Sequence, residues 1–330
     1  MLAGQFTAPR KIDLVEVPEP SLPDGSKGLL IFQPEITCLC GSDLPFFDPD
    51  FEGHEMPLPG EVGQSLHEMI GSVVATNGTK FKTDDRILAV PEYQQGLFER
   101  FVISEDRAIS LDARAEEEHA MLAQPFGTVL YALKKLPNVL DLDVAVVGQG
   151  PIGQLFNSGL RNMGARHIIG IDPLESRLKM SSGMGATETV CNATESPVDA
   201  VRDICDGSLP DIVIEAVGHK GHALNLCIEL CRHHGRMLFF GVPPKAIDGI
   251  RWLDLMHKNV TIHTSIHPDF NRDFPLAMRW IAEGRVDLRP LITHRYPLSE
   301  MQTAFDVFRD RTDGAQKVVV EFPAKAVDVR

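Results

Sequence analysis

The sequence predicts an α/β protein of two domains: a doubly wound, six-stranded parallel sheet in the middle of the chain, and a β-rich domain assembled from both ends. Three observations lead there. The 330 residues are long for one hydrophobic core and comfortable for two. From residue 143 to about 265, buried-type strands alternate with amphipathic helices, the pattern of a parallel sheet covered on both faces. Outside that stretch the texture changes to short β-branched segments punctuated by Pro, Gly and Asp. These changes place the β-rich domain at 1–126 plus 269–330 and the doubly wound domain at 127–268.

The opening MLAGQFTAPRKIDLVEV reads as strand, turn, strand, and GLLIFQPEI, EMIGSVVAT, DRILAV and ERFVIS follow as further strands. RAEEEHA (114–120) sets carboxylates at the start of a helix, where the positive dipole end favours them, and AMLAQPFGTVLYALKKL continues it. DVAVVG, HIIGID, ETVC, DIVIEAVG, RMLFFG and NVTIHTS are the six strands of the alternating region. The tail holds a helix (PLAMRWIAEG), an extended LITHRYPL, a helix (EMQTAFDVFRD) and a last strand, KVVVEF. That strand needs a partner, and the amino-terminal strands offer one, which makes the β-rich domain discontinuous.

Hydrophobic residues make up 43% of the chain and no apolar run reaches 18 residues, so no membrane span is expected. The formal net charge of −14 repels phosphate backbones and argues against nucleic acid as a partner. Six cysteines without a regular framework, and an amino terminus without a secretory pattern, point to a reducing cytoplasm.

GQGPIG (148–153) directly follows a strand and opens a helix, and Asp172 closes the next strand 22 residues beyond Gly150. In that context the run is the dinucleotide fingerprint. Gly148 permits the tight turn, Gly150 lets a pyrophosphate approach the backbone, and Gly153 lets helix and strand pack closely. Pro151 and Ile152 form the first turn, where Pro needs no N–H partner and the helix end meets phosphate charge. Asp172 can accept from a ribose 2′-hydroxyl and repels a 2′-phosphate, which favours NAD over NADP. Arg177 is either an exposed helix residue or a partner for such a phosphate.

His-Glu-Met occurs twice, at 54–56 and 67–69, and CLCGSD lies at 38–43. A thiolate, an imidazole and a carboxylate from separate segments can build an open zinc site, although this spacing alone is a weak signal. Taken with VPEP, HEMIGSVVATNGTKFKTDDRILAV, GLFERFV, VVGQGPIG, VIEAVG, GRMLFFGVPP, PLITHRYPL and KVVVEF in this order, these motifs make nearly the whole chain resemble the zinc-dependent alcohol dehydrogenases of the medium-chain dehydrogenase/reductase superfamily. The branch it looks most similar to contains the sorbitol, threonine and glucose dehydrogenases.

The resemblance implies a GroES-like β-barrel catalytic domain beside a Rossmann domain, one catalytic zinc, and NAD. It implies hydride transfer from a polyol, sugar or threonine-like secondary alcohol, and a homodimer or homotetramer. Cys40 and His67 match zinc ligands, and Glu68 a residue that is a ligand in some members. Ser42 matches the hydroxyl that relays the substrate proton, and Asp43 a carboxylate that steers the ligand His. Thr128 and Val242 match positions lining the nicotinamide, and Val217 of VIEAVG joins them at the cofactor. His67, followed by Met69-Ile70-Gly71, fits the family pattern; His54, followed by Pro57 and Pro59, reads as a loop residue.

Three departures from the family stand out. The position of the remaining ligand, Cys or Glu in the family, is Gln124, a neutral oxygen donor or a partner for a metal-bound water. Pro45 replaces a His that would pass the proton outward. Only PEYQQ (91–95) stands where many members carry a four-cysteine lobe, so no structural zinc is expected. Cys227, Cys231, His233 and His234 read as helix packing and capping rather than a second metal site, and Cys38 as core. Phe46, Phe47, Tyr93 and Phe98 are candidates for a substrate wall or for ordinary packing, and His263 and His267 for a subunit contact. A non-catalytic dinucleotide sensor, an NADP-preferring sugar dehydrogenase and a zinc-free reductase are the competing functions.

Overall fold

The computed structural model describes residues 1–48, 57–218 and 221–323. Two compact units form: Met1–Gln124 with Ile292–Arg330, and Pro125–Leu291. Among the described residues no helix is long and apolar enough to cross a membrane.

In the first unit, β1 (Leu2–Ala8) and β2 (Lys11–Glu16) form an antiparallel pair. β3 (Leu29–Cys38), β4 (Glu68–Thr76), β5 (Arg86–Ala89), β6 (Phe101–Ser104) and β7 (Ala108–Ser110) build the larger sheet. Two strands from the far end of the chain, β14 (Ile292–Pro297) and β15 (Lys317–Glu321), complete it in the order β14-β15-β3-β4-β5-β7, with β6 also on β3. Val319 pairs with Cys38, so the closing strand lies beside the segment that leads into CGSD. β3 is central yet contains Pro34, which has no N–H for the ladder; the register slips between Pro34 and Ile36 to accommodate it. There the strands come so close that a Cβ on Gly71 would lie 2.0 Å from the Gln33 carbonyl oxygen and 2.8 Å from Pro34 Cα. This approach explains the glycine of HEMIG. Phe6, Phe47 and Phe305 anchor the core, with ring centroids 5.4 Å (Phe6–Phe305) and 5.0 Å (Phe47–Phe305) apart.

In the second unit, β8 (Asp143–Val147), β9 (His167–Asp172), β10 (Glu188–Cys191), β11 (Ile212–Glu215), β12 (Arg236–Phe239) and β13 (Thr261–Thr264) form one parallel sheet in the order β10-β9-β8-β11-β12-β13. Every residue of β8 and β11 is buried, which is why these strands are apolar except for one terminal carboxylate each, Asp143 and Glu215. The strand order reverses between β8 and β11, the switch point where such sheets bind ligands at the strands' carboxyl ends.

The six-stranded sheet and the separate, discontinuous β unit agree with the sequence-based expectation. The second boundary differs. The helix Phe270–Ala282, expected beyond the boundary at 268, lies in the second unit. Trp280 packs against Phe126 at 5.9 Å, Lys134 pairs with Asp273, and Phe274 lies so close over Gly127 that a Cβ there would meet it at 2.3 Å. These contacts depend on side chains distant in sequence, which no change of local texture reports.

Gly71→Ala is expected to lower stability by about 1–3 kcal/mol through overpacking against β3, read as a reduced urea midpoint with unchanged slope.

Candidate metal centre and nucleotide site

β3 ends at Cys38, and Cys40 then caps a one-turn 3-10 helix, Gly41–Asp43. The turn swings the Asp43 side chain back into the core, where its carboxylate is fully buried. It accepts from Cys40 N at 2.7 Å, from Ser65 Oγ at 2.9 Å and from Leu66 N at 3.0 Å. Ser65 and Leu66 both have left-handed backbones (φ 97° and 67°), a costly conformation for non-glycine residues. The neighbouring loop braces them: Ser65 N donates to the Gln94 carbonyl, and Gly96 N to the Ser65 carbonyl at 2.9 Å. His67 emerges from this strained entry at the start of β4.

Cys40, His67 and Glu68 thereby converge, their ligand atoms all within 4.8 Å of one another. His67 Nδ1 is buried without a hydrogen-bond partner and stands 3.7 Å from Asp43, an ionic contact rather than a hydrogen bond. Burial opposes the His67 imidazolium, but Asp43 and Cys40 outweigh it and hold the ring well above the ordinary histidine range. Burial likewise opposes the Asp43 charge, and His67 with the backbone N–H groups keeps it below the usual carboxylate range. One sulfur, one imidazole nitrogen lacking a partner and one carboxylate form a donor set suited to zinc, so the residues present fit that ion.

Glu68 is also fully buried, and its partner is Lys317, the first residue of β15. Lys317 Nζ donates to both carboxylate oxygens, at 2.6 Å for Oε1, and to the Leu39 carbonyl at 3.3 Å. Burial disfavours the ammonium, but Glu68 and the two thiols beside it hold its pKa above the usual lysine value. Ser42, half-buried, shares the turn with Cys40, and Pro45 initiates the short helix Leu44–Phe47. The helix Glu117–Met121 packs on β3 and β4, and the buried Gln124 follows it closely in the next helix.

In the second unit β8 runs into Gly148-Gln149-Gly150 and the helix Pro151–Met163. Gly148 is left-handed (φ 94°), and a Cβ on it would lie 2.7 Å from Val217. A Cβ on Gly153 would lie 1.9 Å from the Gly148 carbonyl oxygen. The Asp172 carboxylate, buried at the end of β9, accepts from Gln149 N at 2.8 Å, Leu174 N at 2.9 Å and Arg177 Nη1 at 3.4 Å. Beneath the turn the Gln149 side chain donates to the Val146 carbonyl at 2.9 Å and accepts from Asn157 at 2.7 Å and Ser181 at 2.8 Å. Beyond β11 the buried Glu215 carboxylate accepts from Val217 N at 3.0 Å and Gly218 N at 2.8 Å; burial raises its pKa.

Residues 151–283 match the family model described as zinc-binding dehydrogenase. The L-threonine 3-dehydrogenase of Photorhabdus laumondii subsp. laumondii is 26% identical, over 97% of this chain and 98% of its own length. The alcohol dehydrogenase of Thermus sp. ATN1 superposes with a TM-score of 0.86 at 23% identity, covering 98% of this chain and 100% of that one. An Escherichia coli CFT073 alcohol dehydrogenase complexed with NADH gives 0.82 at 19% identity, covering 98% and 99%. Residues 151–283 thus carry the zinc-binding dehydrogenase match, and over nearly its whole length the chain is similar to these dehydrogenases.

The geometry sorts the residues singled out in the sequence. Cys40, His67 and Glu68 come together, with Ser42 in the same turn. Gly148, Gly150, Pro151, Ile152, Gly153, Asp172 and Arg177 surround one turn, and Arg177 is no free surface residue, since its guanidinium lies between Asp172 and Gly150. The Thr128 hydroxyl donates to the Pro125 carbonyl of its own helix at 2.6 Å, which leaves its methyl group as the part able to line a cofactor. Val217 is half-buried and Val242 is 56% exposed. Phe47 belongs to the aromatic core and Phe46 stacks on Phe6, whereas Tyr93 is 84% exposed. Cys38, Cys227 and Cys231 are fully buried. His54 lies outside the described residues.

Sequence reasoning missed Lys317, whose signal is a lone cation in the otherwise apolar strand start KVVV. It also missed the polar cradle of Gln149, Asn157 and Ser181, which come from the turn, the helix Pro151–Met163 and the helix Glu175–Gly183 and so share no local pattern.

Asp43→Asn is expected to weaken zinc binding by about 10–100-fold with the fold retained, read by competition with a chelator. In metal-free protein, Lys317→Met is expected to cost about 3–5 kcal/mol by leaving a buried carboxylate unpaired, and the Glu68→Gln/Lys317→Met double variant to recover most of it in urea unfolding.

Proposed function

We propose that this zinc-dependent oxidoreductase oxidises a small secondary alcohol of the polyol, sugar or threonine class, with NAD as hydride acceptor and a single catalytic zinc. The observation that carries the reading is the buried Asp43 carboxylate organising Cys40 and His67, in a chain whose other unit holds a dinucleotide turn closed by Asp172. When bound, zinc supplies a Lewis acid that acidifies the alcohol, and the nicotinamide takes the hydride.

This chain's residues do the rest. Cys40 and His67 hold the ion, with Gln124 and Glu68 as the candidate oxygen donors. Lys317 occupies one acceptor position on each Glu68 oxygen and offsets its charge, so Gln124 is the better candidate for the direct bond. Ser42 Oγ takes up the alcohol proton and passes it to water, because Pro45 leaves no imidazole for a longer relay. Asp172 retains acceptor capacity for ribose hydroxyls, and its pairing with Arg177 neutralises the guanidinium that a 2′-phosphate would otherwise meet. The L-threonine dehydrogenase relative supports the substrate class, and the NADH complex supports the cofactor. Six free cysteines are consistent with a reducing cytoplasm.

The assembly proposed is a homodimer or a tetramer built from dimers, joined at the free edge of the parallel sheet. β13 ends the strand order with Thr261, Ile262 and Thr264 exposed, and Ile266 follows it. Trp252, Leu253 and Met256 of the helix Trp252–Lys258 are exposed as well. An uncovered edge strand with apolar neighbours is a ready template for a second copy.

A panel of polyols, sugars and L-threonine with NAD and NADP, run on zinc-assayed protein, should give NADH production with one member and a wide preference for NAD. Cys40→Ala should reduce kcat/KM on the order of 10³-fold, the several kcal/mol that a Lewis acid contributes. Turnover without zinc, or a marked NADP preference, would contradict the reading. Sedimentation should show a dimer or tetramer, and Ile262→Lys should dissociate it; a monomeric wild-type chain would remove the proposed interface.

A further inference from the structure

The amino ends of the parallel strands carry a second group of ligand-type side chains, at the opposite end of the sheet from the Gly-rich turn. Asp143 opens β8, His167 opens β9, and the two are register partners. Cys205 follows the helix Pro197–Ile204 as its C-cap. The ligand atoms of all three lie within 4.8 Å of one another. Asp143 and Cys205 are buried while the His167 side chain keeps 27% of its surface, so the group has walls and a mouth. His167 Nδ1 stands 3.0 Å from Asp143 Oδ1. Burial and the same carboxylate push the Cys205 thiol up to about 12, which keeps it protonated and unreactive while no cation is bound.

The surroundings are acidic. Asp141 and Asp206 act on Arg166, and Asp211 acts on Cys205 while accepting from Asp143 N at 3.0 Å. Two arginines offset this charge: Arg232 pairs with Asp211, and Arg166 donates through Nε to Asp143 Oδ1 at 2.8 Å and through Nη2 to Oδ2. The Arg166 side chain is 45% exposed, so it can withdraw into water without leaving a buried positive charge.

We propose that Asp143, His167 and Cys205 form a second cation site, for a thiophilic divalent ion such as zinc or cadmium, of lower affinity than the Cys40 centre. Sulfur, imidazole and carboxylate with one water make the four-coordinate set such ions favour. On binding, the cation replaces Arg166 on the carboxylate, a metal–sulfur bond replaces the Cys205 S–H bond, and one proton leaves to solvent. No electron is transferred. The displacement of Arg166 and the loss of that proton make this site the weaker of the two. Because three separate elements meet there, occupation ties β8, β9 and the Pro197–Ile204 helix together and stabilises the unit without touching its nucleotide end.

The test titrates Cys40→Ser protein, which lacks the first centre, with cadmium. The readouts are the thiolate-to-cadmium ultraviolet charge-transfer band, thermal unfolding, and NADH fluorescence as a check that the unit is folded. One equivalent should bind with a band and a raised Tm. Adding Cys205→Ser should abolish both, and adding His167→Gln instead should weaken binding at least about tenfold. Absence of a band in the Cys40→Ser protein, or its persistence after Cys205→Ser, overturns the proposal, the latter by assigning the ion to another thiol. If the Cys205→Ser protein does not fold, the His167→Gln variant decides, and unchanged affinity there overturns the site.

Discussion

The Asp43 carboxylate accepts hydrogen bonds from Cys40 N, Ser65 Oγ and Leu66 N with no surface left to water. It joins two segments, the turn after β3 and the entry to β4, which together present the thiol and the imidazole. The left-handed Ser65 and Leu66 cost about 1–3 kcal/mol each. Hydrogen bonds to a charged acceptor contribute about 1.5–3 kcal/mol each, so the contacts to Ser65 and Leu66 are of the size needed to offset that strain. The strained backbone is therefore sustained by the same carboxylate that faces His67, and the metal centre's geometry is coupled to one ionised side chain.

A second buried charge pair extends this arrangement. Glu68 and Lys317 neutralise each other beside Cys40, and Lys317 reaches the Leu39 carbonyl between the two cysteines of the CLC motif. Such a pair adds little net stability, since desolvation consumes most of its attraction, but neither member can be lost alone. Its consequence is positional: the closing strand β15 is fastened to the residues around the metal centre by charge as well as by its ladder to β3. The nucleotide turn combines both kinds of support, with the Gln149 side chain held from below by the neutral Asn157 and Ser181 and its backbone N–H held by the Asp172 carboxylate.

Much of this was legible in the sequence, and the reasons are physical. Alternating apolar strands and helices report a parallel sheet because burial on both faces leaves β8 and β11 apolar apart from the terminal carboxylates Asp143 and Glu215. Gly148 and Gly153 report their own close contacts, since a Cβ at either would collide. Cys40 and His67 were legible as ligand types, although only the fold shows them meeting. Lys317 was not, because an ion pair across 249 residues leaves no local periodicity. Phe47 read equally well as pocket wall or core, and its partner Phe305 lies at the other end of the chain. The place of the helix Phe270–Ala282 in the second unit was not legible, because its contacts with Phe126 and Gly127 are tertiary.

X-ray absorption at the zinc edge, on Cys205→Ser protein loaded with one equivalent of zinc, tests the central claim most directly. One sulfur at about 2.3 Å with the remaining donors nitrogen or oxygen is the predicted shell. A shell without sulfur, or one made of several sulfurs, would contradict the account.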